Sequence, residues 1–508
     1  MQRQSTVSAL LSTGADTATA FGAPGGAPLT YAALRAHVQR TVAALNALGI
    51  GRGDRVAIVL PNGPEMASAY IAVAAGCAAC PLNPAYRADE FEFYLSDLRA
   101  KALLVERGSS SPAVEVARKQ GVRVLELTPT GEGSGAFTLA PADGAGGMPT
   151  AEGGMSQPQD VALILHTSGT TSRPKIVPLT QSNVCASAYN ILGTLHLTPA
   201  DRALNIMPLF HIHGLMAGLL APLAAGSSIF CTPGFNALKF FGWMAECRPT
   251  WVTAVPTMHQ TVLARAAQNK EIIAANPLRF LRSSSSSIPP QVIAELEAVF
   301  NAPLIESYGM TEASHQMASN PLPPALRKPG TVGRAAGPEI AIMDEDGNLL
   351  AAGATGEIVI RGPNVTAGYE NNPKANGEAF THGWFRTGDQ GTMDAEGYLS
   401  ITGRLKEIIN RGGEKISPRE VDEVLMDHPA VAQVVTFAVP HDKLGEDVAA
   451  VVVLREGKAA TERELRDFVA TKLADYKVPR KLIFMDEIPK GATGKLQRIG
   501  LAQKLGLA

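Results

Sequence analysis

The sequence predicts an α/β protein in two parts. A large N-terminal domain, 1–405, consists of layered α/β subdomains plus a β-rich subdomain, and a small α+β domain, 406–508, completes the chain. Three observations lead there. Short apolar, β-branched runs alternate with segments of helical period, the pattern of βαβ units with mostly parallel sheets. From Glu339 onward the period shortens and the text becomes more strand-like. Past Gly403-Arg404-Leu405-Lys406, fresh helix signals begin, which sets the boundary near Lys406. At 508 residues the chain is also longer than one ordinary core.

Taken in order, Tyr31–Leu48 reads as a helix. Thr30 can cap its start, Leu34, Val38, Val42 and Leu45 share one face, and Gly49 can end it. Buried strands are expected at Arg55–Leu60, Lys101–Val105, Val122–Leu127, Val161–Leu165, Ser227–Cys231 and Trp251–Val255. Residues 129–158, rich in Gly, Pro, Ala and Thr, read as a surface loop. The β-rich part holds Glu339–Met343, Glu357–Arg361 and Tyr398–Thr402. In the small domain, Ser417-Pro418-Arg419-Glu420 has the form of a capping box with proline at the first helical position. Gln433–Val439, Asp447–Leu454 and Glu462–Leu473 then give strand, strand and helix.

Composition excludes several classes. With 45% hydrophobic and 18% charged residues the chain is an ordinary globular one. A net charge of −2 gives no general attraction to nucleic acid or anionic membrane. The most apolar stretch, Leu204–Phe230, is broken by Pro208, His211, His213 and Pro222, so it reads as core and not as a membrane span. Met1–Leu11 lacks the apolar run of a signal peptide, and Gly506-Leu507-Ala508 is not a peroxisomal address. The 5 cysteines are an odd number, which points to a reducing, cytoplasmic setting. Cys77 and Cys80 form a C-x-x-C with no second pair and read as buried thiols.

The chemistry concentrates in a few short segments. Thr167-Ser168-Gly169-Thr170-Thr171-Ser172-Arg173-Pro174-Lys175 comes directly after a buried strand. Small hydroxyl residues around a glycine let backbone N–H groups and hydroxyls wrap phosphate oxygens, and Lys175 adds charge. It is not the Walker pattern. Tyr308-Gly309-Met310-Thr311-Glu312 offers a hydroxyl and a carboxylate suited to a hard cation. Asp389, in Thr387-Gly388-Asp389, can accept from two ribose hydroxyls at once.

With these motifs in this order, the chain resembles the adenylate-forming superfamily of acyl-CoA synthetases, luciferases and adenylation enzymes over nearly its whole length. The resemblance implies an ATP- and Mg²⁺-dependent ligase that makes an acyl-AMP and passes the acyl group to coenzyme A. It implies that Thr167, Ser168, Gly169, Thr170, Thr171 and Lys175 hold the phosphates. Thr311 would contact the α-phosphate and Glu312 would hold Mg²⁺. Ser285, Ser286, Ser287, Glu306, Ser307 and Tyr308 would border the adenine, and Asp389 and Arg404 the ribose. Pro489-Lys490-Gly491-Ala492-Thr493-Gly494-Lys495 is similar to the family's lysine loop, with Lys495 catalytic through charge stabilisation. Lys406 matches the hinge about which the family's small domain turns, so 406–508 is expected to be mobile. Arg411, Gly412 and Gly413 match the loop that shapes the CoA side. Ser172, Arg173 and Ile176 depart mildly from the commonest loop.

The text from Glu306 to Pro323, His166, Ser172-Arg173 and Asn410–Pro418 resemble the oxalate–CoA ligase branch. A short diacid keeps a second charge that must be met when buried. Candidate acyl-pocket residues are His213, at the expected pocket entrance, with His259, Arg282, Ser283 and His315. Malonate, other short acids or a medium-chain acid are the alternatives. A carrier-loading adenylating enzyme would share the nucleotide motifs; no aspartate stands in Phe235–Trp243 where amino-acid activators of this superfamily tend to carry one, and no carrier domain is expected. The expected partners are the acid, ATP and CoA, with no nucleic acid and no membrane span, for a monomer or homodimer.

Overall fold

The computed structural model describes residues 3–167, 174–489 and 498–508. Contacts divide the chain into two compact units, one of 1–288, 292–340 and 360–385, the other of 289–291, 341–359 and 386–508.

The first unit holds two large sheets. Arg55–Val59, Ala78–Pro81, Ala102–Glu106, Arg123–Pro129 and Val161–Thr167 run parallel in a seven-stranded sheet edged by the antiparallel Phe137–Pro141 and Lys175–Thr180. The second sheet has nine strands. Its parallel centre runs Leu304–Met310, Phe280–Ser283, Trp251–Ala254, Arg202–Asn205 and Ser228–Cys231. Parallel strands buried on both faces are near-continuous apolar runs, which is why the β-branched runs were readable. Tyr31–Ala47 is the expected helix, and the Thr30 hydroxyl accepts from the Ala33 N–H at 3.2 Å. The apolar stretch from Leu204 becomes a strand, a helical segment and a second strand at Ser228–Cys231. Among the described residues no helix is long and apolar enough to cross a membrane.

The second unit contains its own sheet, ordered Glu414–Ile416, Ile409–Arg411, Gly445–Leu454, Val431–His441, with Lys481–Phe484 beside Gly445–Leu454. Alternation gives this sheet two cores. Val434, Val448, Ala450 and Val452 pack with Val421 and Leu425 of Pro418–Met426 and Leu465 and Val469 of Glu462–Ala470. Val435, Phe437, Ala449 and Val451 pack with Ile488 and Leu501 on the other face.

Two sequence readings are corrected. Residues 129–158 are not all loop, because Phe137–Pro141 forms an edge strand against Arg123–Pro129. Its short alternating text was obscured by flanking Gly and Pro. The capping box at Ser417 is half made. Ser417 accepts from the Glu420 N–H at 3.4 Å, but the Glu420 carboxylate pairs with Lys477 at 2.7 Å. The contact-defined units change over at Phe385/Arg386. Leu399–Arg404 forms a hairpin with the end of Trp384–Met393, and the Ser417 hydroxyl bonds the Thr402 carbonyl, so this hairpin packs with the residues C-terminal to it.

All five cysteines are reduced and buried. Burial pushes the thiols of Cys77, Cys80, Cys185 and Cys247 up to about 12, and that of Cys231 higher still. Ellman's reagent at pH 8 is therefore expected to leave the native protein unlabelled over minutes and to titrate all five thiols in denaturant. Rapid labelling of the native protein would contradict this packing.

Candidate active site

Within the nine-stranded sheet, Val252, Leu281 and Leu304 lie side by side and enter a hydrophobic core. The next residues along two of these strands, Thr253 and Arg282, are register partners and face the opposite way. Arg282 is fully buried. Its Nη1 donates to Thr253 Oγ1 at 3.2 Å and to His213 Nε2 at 3.3 Å. Its Nη2 donates to His315 Nε2 at 3.1 Å and to Gln316 Oε1 at 3.3 Å. No carboxylate among the described residues pairs with it, and its Nε has no partner there.

Those contacts fix the histidines. A guanidinium only donates, so both Nε2 atoms accept and both imidazoles are neutral, with their proton on Nδ1. His213 Nδ1–H then donates to Ser285 Oγ at 3.1 Å, while the Thr253 hydroxyl donates to His213 Nε2 at 2.6 Å. The two rings stack with centroids 4.8 Å apart and 18° between planes. Burial pulls the pKa of Arg282 down to about 9, which still leaves it cationic at neutral pH. Arg282 thus brings one positive charge into the cluster, and no carboxylate among the described residues pairs with it.

Unusual backbone positions this cluster. His213 lies in Ile212–Leu215, which runs into a π turn over Met216–Leu220, and His211 caps its start by accepting the His213 N–H. His315 and Ser314 have left-handed φ values of 89° and 48°, costly for non-glycine residues and typical of working sites. Gly309 faces this turn, and a Cβ there would lie 1.8 Å from the His315 carbonyl oxygen, so only glycine fits. The hydroxyls of Ser283 and Ser314 are buried without partners among the described residues, a rarity in native interiors.

The expected nucleotide residues spread over several elements of the first unit. Thr167 ends one strand opposite Lys175, which begins the next; Ser168, Gly169, Thr170 and Thr171 lie outside the described residues. Thr311 and Glu312 form a 3₁₀ turn. Glu312 is buried, and Tyr369 Oη donates to its Oε1 at 2.9 Å. Lys175 Nζ sits 4.3 Å from the centroid of the same tyrosine ring. In the serine run, Ser284 Oγ donates to the Ser307 carbonyl at 3.0 Å and Ser307 Oγ to that of Ser283 at 3.3 Å. Ser285 is half-buried and Ser286 and Ser287 are exposed, while Glu306 and Tyr308 are buried.

In the second unit, Asp389 and Arg404 face each other across a hairpin, with Arg404 Nε 3.1 Å from Asp389 Oδ1. Lys406 is exposed in the turn Leu405–Glu407. Arg411 pairs with Asp447 at 2.7 Å. Gly412 and Gly413 have φ of 62° and 99° and join Ile409–Arg411 to Glu414–Ile416, the two-residue hairpin geometry that demands positive φ twice. Lys495 lies outside the described residues.

A family model described as "AMP-binding enzyme" matches residues 11–370, and its companion, "AMP-binding enzyme C-terminal domain", matches 420–495. The chain belongs to the AMP-binding enzyme family. It is 46% identical to an oxalate–CoA ligase of Arabidopsis thaliana, across 95% of each chain. It is 43% identical to an oxalate–CoA ligase of Saccharomyces cerevisiae, across 89% of this chain and 87% of that one. The ATP-bound crystal structure of MatB from Rhodopseudomonas palustris superposes with a TM-score of 0.87 at 31% identity, covering 99% of this chain and 98% of that one.

Beside the family's motifs, folding brings in Thr253, Gln316 and Tyr369, which sequence reading missed. Thr253 and Tyr369 sit in no motif, Gln316 lies within the Glu306–Pro323 segment without standing out there, and the register of Thr253 with Arg282 signals the first of them. His259, expected in the acyl pocket, bonds the main-chain oxygen of Arg282 at 3.0 Å instead of the guanidinium. Burial lowers its pKa from 6.5 to about 4, so it is a neutral brace for that strand. The unfolded chain takes up this proton more readily than the folded one, so stability falls as pH drops from about 6.5 toward 4. His259→Gln should flatten the pH dependence of the urea midpoint in that window; an unchanged slope would contradict the buried neutral state.

Proposed function

We propose that this protein is an ATP- and Mg²⁺-dependent oxalate–CoA ligase that works in the cytoplasm. One oxalate carboxylate attacks the α-phosphorus of ATP, the bond to pyrophosphate breaks, and oxalyl-AMP forms. The thiol of coenzyme A then attacks the oxalyl carbonyl and AMP leaves. The observation that carries the choice of acid is the buried Arg282 with no carboxylate of its own. An isolated buried cation is costly, and an incoming carboxylate offsets that cost. A fatty acid has no group to offer it, whereas the second carboxylate of oxalate does. His213, His315, Ser283 and the Ser285 hydroxyl supply the neutral hydrogen bonds around it. The oxalate–CoA ligases among the relatives support the same acid, and the reduced thiols support the compartment.

In this reading Thr167, Ser168, Gly169, Thr170, Thr171, Lys175 and Thr311 take the phosphates. Ser285, Ser286, Ser287, Glu306, Ser307 and Tyr308 border the adenine, and Asp389 with Arg404 takes the ribose. The buried Glu312 carboxylate, an oxygen donor fixed by Tyr369, fits Mg²⁺, which keeps few protein ligands beside substrate phosphates. Bound there, the ion supplies charge neutralisation. Lys495 stabilises the charge that develops as the α-phosphorus is attacked. The small domain, 406–508, then turns about Lys406 so that Arg411, Gly412 and Gly413 form the CoA side for the second half-reaction.

Release of AMP in the presence of ATP, Mg²⁺ and CoA is expected to be greatest with oxalate among oxalate, malonate, acetate, hexanoate and a long-chain acid. A maximum with hexanoate would keep the enzyme class and overturn the choice of acid. Arg282→Met should raise KM for oxalate about 10²-fold, the scale of removing one partner of a buried charged pair. Separately, Lys495→Ala should slow adenylation by about 10² to 10³ and largely spare thioester formation from supplied oxalyl-AMP. Equal loss of both half-reactions would sink the assignment of Lys495.

A further inference from the structure

Tyr369 touches two groups of opposite charge that belong to the same chemical event. Its hydroxyl donates to Glu312 Oε1 at 2.9 Å, and Lys175 Nζ lies 4.3 Å from its ring centroid. The ring is therefore edge-anchored by an anion and face-anchored by a cation. A phenol that donates to a carboxylate fixes that carboxylate's rotation and leaves its second oxygen aimed elsewhere. An ammonium over an aromatic face is held without being neutralised, so it keeps its charge for another anion. The tyrosine thus holds the ammonium and the carboxylate on different parts of one ring, the first over its face and the second at its hydroxyl.

The backbone around Tyr369 is built to hold it still. The Tyr369 N–H donates to Asn376 Oδ1 at 2.7 Å, and Asn376 Nδ2 donates back to the Tyr369 carbonyl at 2.8 Å. Just upstream, the Thr366 N–H donates to the Glu312 carbonyl at 2.7 Å and its hydroxyl to the Pro178 carbonyl at 2.8 Å. Just downstream, the Glu370 N–H donates to the Ile176 carbonyl at 3.1 Å, and the Glu370 carboxylate pairs with Arg55 at 2.7 Å. Residues 366–370 thus stitch the strand that starts at Lys175 to the turn that carries Glu312.

We propose that Tyr369 is a positioning residue for adenylation, which sets the spacing between the phosphate-side lysine and the metal-side glutamate. It acts on MgATP through Lys175 and Glu312 and touches neither the acid nor CoA. This inference rests on the metal and phosphate roles given above to Glu312 and Lys175.

Isotope exchange between pyrophosphate and ATP, driven by oxalate, tests it in the full chain. Tyr369→Phe removes only the hydroxyl. It is expected to raise KM for MgATP on the order of tenfold, the usual effect of losing a group that orients a metal ligand. KM for oxalate, the melting temperature and the rate of thioester formation from supplied oxalyl-AMP should not move. Tyr369→Leu, which removes the ring as well, should lose more of the exchange rate. Unchanged MgATP kinetics in Tyr369→Phe, beside an impaired Glu312→Gln, would overturn the role of Tyr369 alone. Normal MgATP kinetics in Glu312→Gln would overturn the metal reading, and the role of Tyr369 with it. A proportional fall of every parameter together with the melting temperature would reduce Tyr369 to a packing residue.

Discussion

A cation buried in a β-sheet constrains everything near it. Arg282 lost its water on folding, and the described residues give it no carboxylate in exchange. Each of its neighbours must then accept a hydrogen bond without bearing a like charge. This forces His213 and His315 into one tautomer, requires Thr253 on the adjacent strand, and brings the Gln316 amide oxygen to the second guanidinium nitrogen. The left-handed backbone at Ser314 and His315 is a result, because the hairpin must deliver an imidazole to that place. Gly309 is another, because no side chain fits against the turn. Removing the arginine would leave a ring of polar groups arranged around nothing.

Much of this was legible in the sequence, and the residues show where legibility stopped. Strands such as Ala102–Glu106 and Trp251–Ala254 were visible because a strand covered on both faces is apolar over most of its length. Phe137–Pro141, an edge strand with alternating exposure, was lost in its Gly- and Pro-rich surroundings. The nucleotide motifs were legible because they are contiguous. Tyr369 was not, since it lies 57 residues from Glu312 in the chain and meets it only through the fold. That His259 meets Arg282 through its main-chain oxygen was also hidden, because residue type alone does not tell a side-chain contact from a main-chain one.

The second unit shows the same economy. Arg498 lies half-buried between Asp422 and Glu407, and its Nε donates to the Thr436 carbonyl at 2.9 Å. Burial alone would push the Asp422 carboxyl up, and Arg498 opposes that by stabilising its charged form. One side chain therefore ties the turn after Lys406, the helix Pro418–Met426 and the central strand Val431–His441 to the end of the chain. Whatever motion begins at Lys406, these pieces are fastened to one another within their unit.

The π turn at Met216–Leu220 has a consequence for how such a protein can change by descent. A π turn holds one residue more than the α-helix around it needs, and one residue is worth about 100° of helical rotation. Deletion of one residue there would restore a regular helix and swing His213 away from Thr253, with no change in either side chain. The length of this short stretch, and not only its letters, therefore holds the imidazole in register with the neighbouring strand.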